Sequence, residues 1–306
     1  MKVLVATEKP FASVAVSMIR EEVENAGHEL ALLENYKAPE DLYSAVEDAD
    51  ALIVRSDKVT SSVIKAAKKL KVVVRAGAGF DNLDLDACTS SNIVAMNTPG
   101  QNSNGVAELV FLLMLHHLRH GFVGQSGTEL RGKIIGIHAY GNVGRYVAEI
   151  AKGFGMKVFA YDPFINSFEM EKNGITACRD IYQFYSCSNF VSLHLPVTDK
   201  TRKSIGYELL MKMPPHAVLV NAARKDIIDE PGLLKVFEER PDFSYLSDGE
   251  PESKHIFVEK YPGRYLFTAK KMGAQTEEAN INSGVAAARQ IVDFFKTGNE
   301  KFRVNK

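Results

Sequence analysis

The chain has 306 residues, room for about two domains, and its 45 % apolar and 25 % charged content is that of an ordinary soluble globular protein. Its 37 lysines and arginines nearly cancel 38 aspartates and glutamates, and a net charge of −1 gives no case for nucleic acid or a membrane surface as partner. Three cysteines, Cys88, Cys178 and Cys187, stand in no metal-ligand spacing and argue against a disulfide framework, so no metal and a reducing, cytoplasmic setting are expected.

The opening stretch, MKVLVATEKPF, breaks its apolar run at Thr7, too soon for a secretion signal. Its KVLVA segment (2–6) starts a series of short strands that continues with ELALL (29–33), ALIV (51–54), KVVV (71–74) and NIVAM (92–96). Between them, PFASVAVSMIREEVENAG (10–27) and TSSVIKAAKKL (60–70) have helical spacing, the second opened by a Thr or Ser suited to capping. A helix over 103–119 carries the longest apolar run, LVFLLML (109–115), which reads as buried because a membrane span needs about 20 residues. A second series follows: KIIGIH (133–138), KVFAY (157–161), NFVSLHL (189–195), AVLVN (217–221), FSYLS (243–247) and YLFT (265–268). The last helix presents Ile281, Val285, Ala288, Val292 and Phe295 on one face. Strands alternating with helices predict an α/β fold of two doubly wound parallel-sheet, Rossmann-like domains. If the last helix packs on the first series, one domain is discontinuous, 1–97 plus 277–306, and the other is 98–276.

The stretch GIHAYGNVGRY (136–146) follows a strand and opens a helix. It reads as G-x-G-x-x-G with alanine in first place: Ala139, Gly141, Gly144. The middle glycine lets backbone approach a pyrophosphate, and the third lets helix and strand pack closely. Alanine suits the first position if its φ stays negative. Asp162 closes the next strand 18 residues beyond Gly144, where a carboxylate accepts from ribose hydroxyls and repels a 2′-phosphate. That favours NAD over NADP; otherwise Asp162 is a turn residue before Pro163. Tyr140, Gly141, Asn142 and Val143 are expected at the cofactor.

Further motifs are RAGAGFDNLDL (75–85), NTPGQNSNGVAE (97–108), VSLHLPVTDKT (191–201), VLVNAARKDIIDE (218–230) and MGAQTEEA (272–279). With the nucleotide turn in its place among them, the chain resembles the D-isomer-specific 2-hydroxyacid dehydrogenases over nearly its whole length. The resemblance implies a substrate domain built from both termini, a nucleotide domain inserted between them, and an active site in the cleft. It adds His194, Pro196, Thr201, Ala222, Asp248 and Gly273 to the cofactor contacts. Ala76 and Gly77 match backbone amides that hold the substrate carboxylate, a sound anion nest, with Asn102 added to the substrate set. Arg55 and Ser56 match residues at the substrate mouth, and Lys9 could reach the same place. Arg224 matches the arginine that polarises the C2 oxygen and grips the carboxylate. Taken singly, Arg55, Ser56, Lys9 and Arg224 could equally be solvated, and His194 reads as a satisfied core histidine.

Relatives complete the site with a histidine in T-P-H-I-G and a glutamate in D-V-F-x-x-E-P. Aligning back from MGAQTEEA puts Lys271 at the histidine and Lys270 at the proline. The glutamate segment contracts by three residues to Asp248-Gly249-Glu250-Pro251. Glu250 precedes the proline correctly, yet its displacement from Lys271 is expected. A protonated lysine donates to a ketone at neutral pH, whereas oxidation needs the neutral amine against a reference pKa of ~10.4. Burial and the charges of Lys270 and Arg224 push that value down, while a close Glu250 would push it up. An alkaline optimum for oxidation is the expectation. The pattern is most similar to the short-chain branch acting on 3-phospho-D-glycerate, a subset of which carries Lys for His. This implies NAD-dependent oxidation of a phosphorylated 2-hydroxy acid to 3-phosphohydroxypyruvate, toward serine, by a homodimer joined through the nucleotide domain. The alternatives are another D-2-hydroxy acid such as glycerate or lactate, or a non-catalytic NAD(H)-binding regulatory protein.

Overall fold

In the computed structural model, which describes residues 1–305, the chain forms two compact units. One comprises residues 1–102 with 275–306, the other 103–274, against the expected limits of 97/98 and 276/277.

The first unit holds β1 (Lys2–Thr7), β2 (Glu29–Glu34), β3 (Ala51–Val54), β4 (Val72–Arg75) and β5 (Val94–Asn97) in the order β2-β1-β3-β4-β5, all parallel. Successive side chains on a strand point to opposite faces, so each apolar run feeds two cores. Val3, Val5, Ile53, Val72 and Val74 pack with Ile19, Val285 and Ile291 of the helices Ser13–Asn25 and Glu277–Thr297. Leu4, Leu52, Val54 and Val73 pack with Leu42, Val63, Ile64 and Cys88 on the other side. Gly284 permits the close crossing of the two long helices, since a Cβ there would lie 2.9 Å from the Ile19 side chain.

Both helices expected here are shorter than their patterns. The first begins at Ser13, because Lys9 and Pro10 turn their carbonyls to Arg55 instead of into a helical ladder. The second is Ser61–Ala66, and Thr60 occupies its N-cap without a side-chain capping bond, correcting that expectation.

The second unit holds β6 (Ile134–His138), β7 (Lys157–Tyr161), β8 (Thr176–Ala177), β9 (Phe190–Leu193), β10 (Val218–Asn221), β11 (Ser244–Ser247) and β12 (Tyr265–Phe267). Their order is β12-β11-β10-β9-β6-β7-β8, again all parallel. Two-residue β8 is too short to leave a sequence pattern. The connections wind one way from β6 and the other way from β9, and in such sheets ligands bind beyond the carboxyl ends of the strands at this reversal. Among the described residues no helix is long and apolar enough to cross a membrane.

Candidate active site

The turn after β6 stands at that reversal. Gly144 is required by packing, since a Cβ there would lie 2.4 Å from the carbonyl oxygen of Ala139. Gly141 is different: a Cβ would meet nothing within 4 Å, so close approach of a ligand, not packing, accounts for it. Gly141 also caps the helix Asn142–Gly153 without a side-chain hydrogen bond, leaving first-turn amides to an anion. A dinucleotide pyrophosphate fits both observations.

One expectation is corrected here. Ala139 has φ 78°, in the left-handed region, because its amide is tied to the Tyr161 carbonyl at 2.9 Å while the chain turns into the helix. A Cβ in that region costs roughly 1–2 kcal/mol. Ala139→Gly is therefore expected to stabilise the protein by up to about 1 kcal/mol after the extra entropy of glycine in the unfolded chain. An unchanged or lower urea midpoint would contradict the strain.

Asp162 does the turn job weighed for it. Its Oδ2 accepts from the Tyr140 amide and its Oδ1 from the Phe164 amide, each at 2.9 Å, so it ties the nucleotide turn to the end of β7. The Tyr140 amide is thereby engaged, and the Tyr140 ring is buried with the Arg145 guanidinium 4.9 Å from its centroid. Asp162→Ala is expected to weaken NADH binding tenfold or more and to narrow the preference over NADPH, at ~1.4 kcal/mol per tenfold. A fluorescence titration that finds the preference intact would remove Asp162 from the ribose.

His194, half-buried after β9, meets the Ser192 hydroxyl at 2.9 Å through Nε2. Burial, then His138 and Lys271, push its pKa down to about 3, so the ring is neutral. Thr201 accepts from the Thr198 amide at 2.8 Å and donates to the Pro196 carbonyl at 2.6 Å, folding the loop that carries Pro196. His138 lies beneath, 5 % exposed, its Nδ1 3.1 Å from the Tyr185 hydroxyl and its pKa pushed to about 4 by burial despite the opposing pull of Asp162. In the unfolded chain this histidine takes its proton near pH 6.5. Stability is thus complete above pH ~6.5 and falls as acid is added toward the folded value, by about 3 kcal/mol from His138 alone. Urea midpoints measured from pH 7 to 4.5 should decline, and less so in His138→Gln.

The ends of β10, β11 and β12 bring Arg224, Asp248 and Lys271 together. Buried Asn221 accepts the Ala223 amide at 2.9 Å and donates to the Arg224 carbonyl at 3.0 Å, bending the chain so that the Arg224 side chain stands exposed. Lys271 Nζ donates to the Ala223 carbonyl and, at 3.2 Å, to that of Ala222. Desolvation lowers its pKa, the nearby Asp248 opposes this and Arg224 reinforces it. Lys270 is exposed.

The carboxylate nearest Lys271 is Asp248, with Oδ2 at 3.6 Å. Glu250 is turned elsewhere, accepting from Lys254 Nζ at 2.6 Å, so the shortened segment does bring a different acid to the lysine. The family resemblance implies a cofactor contact for Asp248. It also binds the loop that carries Lys271, accepting from the amides of Met272 at 2.6 Å and Gly273 at 3.1 Å.

In the first unit, Gly77 has φ 148°, a conformation that strains any other residue, and a Cβ there would push aside the Arg75 guanidinium, whose Nη1 lies 1.6 Å from that position. Ala76 is buried, Asn102 half-buried and Ser56 exposed. Arg55 is engaged within its own unit: it donates to the carbonyls of Lys9 and Pro10 and, at 2.5 Å, to Asn280 Oδ1. Asn221, Asp57 and Arg75 were not singled out from sequence. Buried Asp57 organises the Arg55 loop, accepting the amides of Glu8 at 2.6 Å and Arg55 at 3.2 Å. An aspartate three residues beyond the end of β3 was the available signal for it.

A doubly wound sheet with this turn at its reversal defines a dinucleotide-binding unit of the Rossmann class. Residues 116–257 match the NAD binding domain of the D-isomer specific 2-hydroxyacid dehydrogenases. The chain belongs to that family. A hydroxypyruvate reductase of Thermotoga maritima is 32 % identical over 283 residues, 86 % of this chain and 90 % of that one. A D-3-phosphoglycerate dehydrogenase of Methanocaldococcus jannaschii is 37 % identical over 275 residues, 82 % of this chain but 51 % of that protein. The chain spans about half the length of such curated phosphoglycerate dehydrogenases. The solved NAD+-bound 3-phosphoglycerate dehydrogenase of Entamoeba histolytica is 49 % identical with a TM-score of 0.88, covering 100 % of this chain and 99 % of the other.

Proposed function

We propose that this chain is an NAD-dependent D-2-hydroxyacid dehydrogenase that interconverts 3-phospho-D-glycerate and 3-phosphohydroxypyruvate. The observation that carries the reading is Lys271, held on the carbonyls of Ala222 and Ala223 beside Arg224 in the same unit as the nucleotide turn. The names of the Methanocaldococcus and Entamoeba relatives favour the phosphorylated substrate.

NAD, held at the nucleotide turn by Gly141 and Asp162, would supply the hydride acceptor for substrate C2. The hydroxyl proton at C2 passes to the neutral Nζ of Lys271, and in reduction the ammonium returns it to the ketone oxygen. The Arg224 guanidinium draws charge onto that oxygen and holds the carboxylate, as its fork geometry suits. The Ala76 amide is spent on the Val54 carbonyl at 2.8 Å, so of that pair only the Gly77 amide is assigned to the carboxylate, and Asp162 receives the ribose hydroxyls. A Lys271 pKa below its usual value brings the oxidation optimum within alkaline reach while leaving the ammonium available at neutral pH. Arg55 fits a structural staple better than a phosphate ligand, since three of its donor contacts are internal.

The unit 1–102 with 275–306 is assigned to substrate and 103–274 to cofactor. A homodimer is proposed through the second unit: Leu112, Phe122 and Val123 are exposed by 58, 70 and 71 % on or just beyond the helix Ser103–Leu118, whose stretch 109–115 is apolar without a break. A helix apolar all round is normally covered on every side. Three free thiols support a reducing, cytoplasmic location.

NADH oxidation with phosphohydroxypyruvate, hydroxypyruvate and pyruvate tests the reading. Turnover is expected to be strongest with the phosphorylated ketoacid. Activity confined to the others would reassign the substrate, and tight NADH binding without turnover would mark a regulatory protein.

A further inference from the structure

We infer that Asp248, and not Glu250, is the carboxylate that positions Lys271 for proton transfer. The inference rests on the dehydrogenase reading above and deepens it.

Asp248 directly follows β11 and is almost wholly enclosed, its side chain 3 % exposed. Both of its oxygens are committed to one loop. Oδ1 accepts from the Met272 amide at 2.6 Å and from the Thr268 hydroxyl at 3.0 Å, and Oδ2 accepts from the Gly273 amide at 3.1 Å. These residues bracket Lys271 on both sides, so one buried carboxylate sets the backbone from which the amine extends. The same Oδ2 lies 3.6 Å from Nζ. That is within ion-pair range but beyond a hydrogen bond.

Nζ therefore has two of its three protons on the carbonyls of Ala222 and Ala223 and a third left for a substrate oxygen. A glutamate bonded directly to the amine would compete for that proton. Glu250 is instead occupied by Lys254, four residues on, at 2.6 Å. The charged and titratable groups acting with Lys271 are Asp248 at the end of β11, Arg224 after β10 and neutral His194 after β9. Only Asp248 among them favours the ammonium, so it opposes the pull of burial and Arg224 without quenching the amine.

Purely structural anchoring of the loop would make Asp248→Asn slower without moving a titration. Electrostatic positioning predicts more. Removing the negative charge should move the Lys271 titration, read by NMR of ¹³C-lysine-labelled protein and identified by its absence in Lys271→Ala, to lower pH. The rise of kcat/KM with pH in the oxidation direction should move with it, while Glu250→Gln leaves the midpoint in place. A midpoint unmoved in Asp248→Asn, or displaced in Glu250→Gln, overturns the inference. Should Asp248→Asn fail to fold, the Glu250→Gln titration decides alone by the same criterion. The NMR midpoint is read without substrate, so lack of turnover in the wild type would count against the dehydrogenase reading and leave this result standing.

Discussion

Lys271→Ala is expected to lower kcat by 10²- to 10⁴-fold, the usual range for a positioned acid or base, with NADH affinity within a factor of two or so of wild type. The split follows from geometry. Nζ reaches the Ala222 and Ala223 carbonyls and the neighbourhood of Arg224, whereas the nucleotide turn is built by Gly141, Gly144 and Asp162. The pH dependence should separate the two directions. Oxidation needs the unprotonated amine and rises with pH through the Lys271 pKa; reduction needs the ammonium and falls over the same interval. Because that pKa is lowered, both limbs should lie below the titration of an ordinary lysine. Comparable kcat in wild type and mutant, measured with saturating phosphohydroxypyruvate, would remove Lys271 from the chemistry.

Arg224→Gln is expected to reduce kcat/KM by about 10²- to 10³-fold, the typical loss when one donor aimed at developing negative charge is removed. An arginine serving only as a solvated surface charge would change the rate by no more than a few-fold. Asn221 holds the backbone on both sides of this residue, so the fold around Arg224 should survive the substitution. Arg224→Lys offers a sharper test. It keeps the charge but loses the planar fork, so KM should rise more than kcat falls if the side chain grips a carboxylate. Equal rates for arginine and lysine would show that charge alone suffices.

The alternation of apolar runs and helical periods was enough to read eleven of the strands now seen, both parallel sheets and the nucleotide turn, because period and turn chemistry are local properties of the chain. The alignment of Lys271 with an acid/base position was legible from motif order in the same way. Other features depended on what distant segments bring alongside. Ala139 takes a left-handed φ because β7, twenty-two residues further on at Tyr161, claims its amide, which no local preference announces. Arg55 was read as facing a substrate, yet its guanidinium fastens Lys9, Pro10 and Asn280, the last 225 residues away. The exchange of Glu250 for Asp248 beside Lys271 turns on where three strand ends meet. Sequence spacing along one chain sets which side chains share a face; it does not set which carboxylate arrives beside an amine carried by another strand.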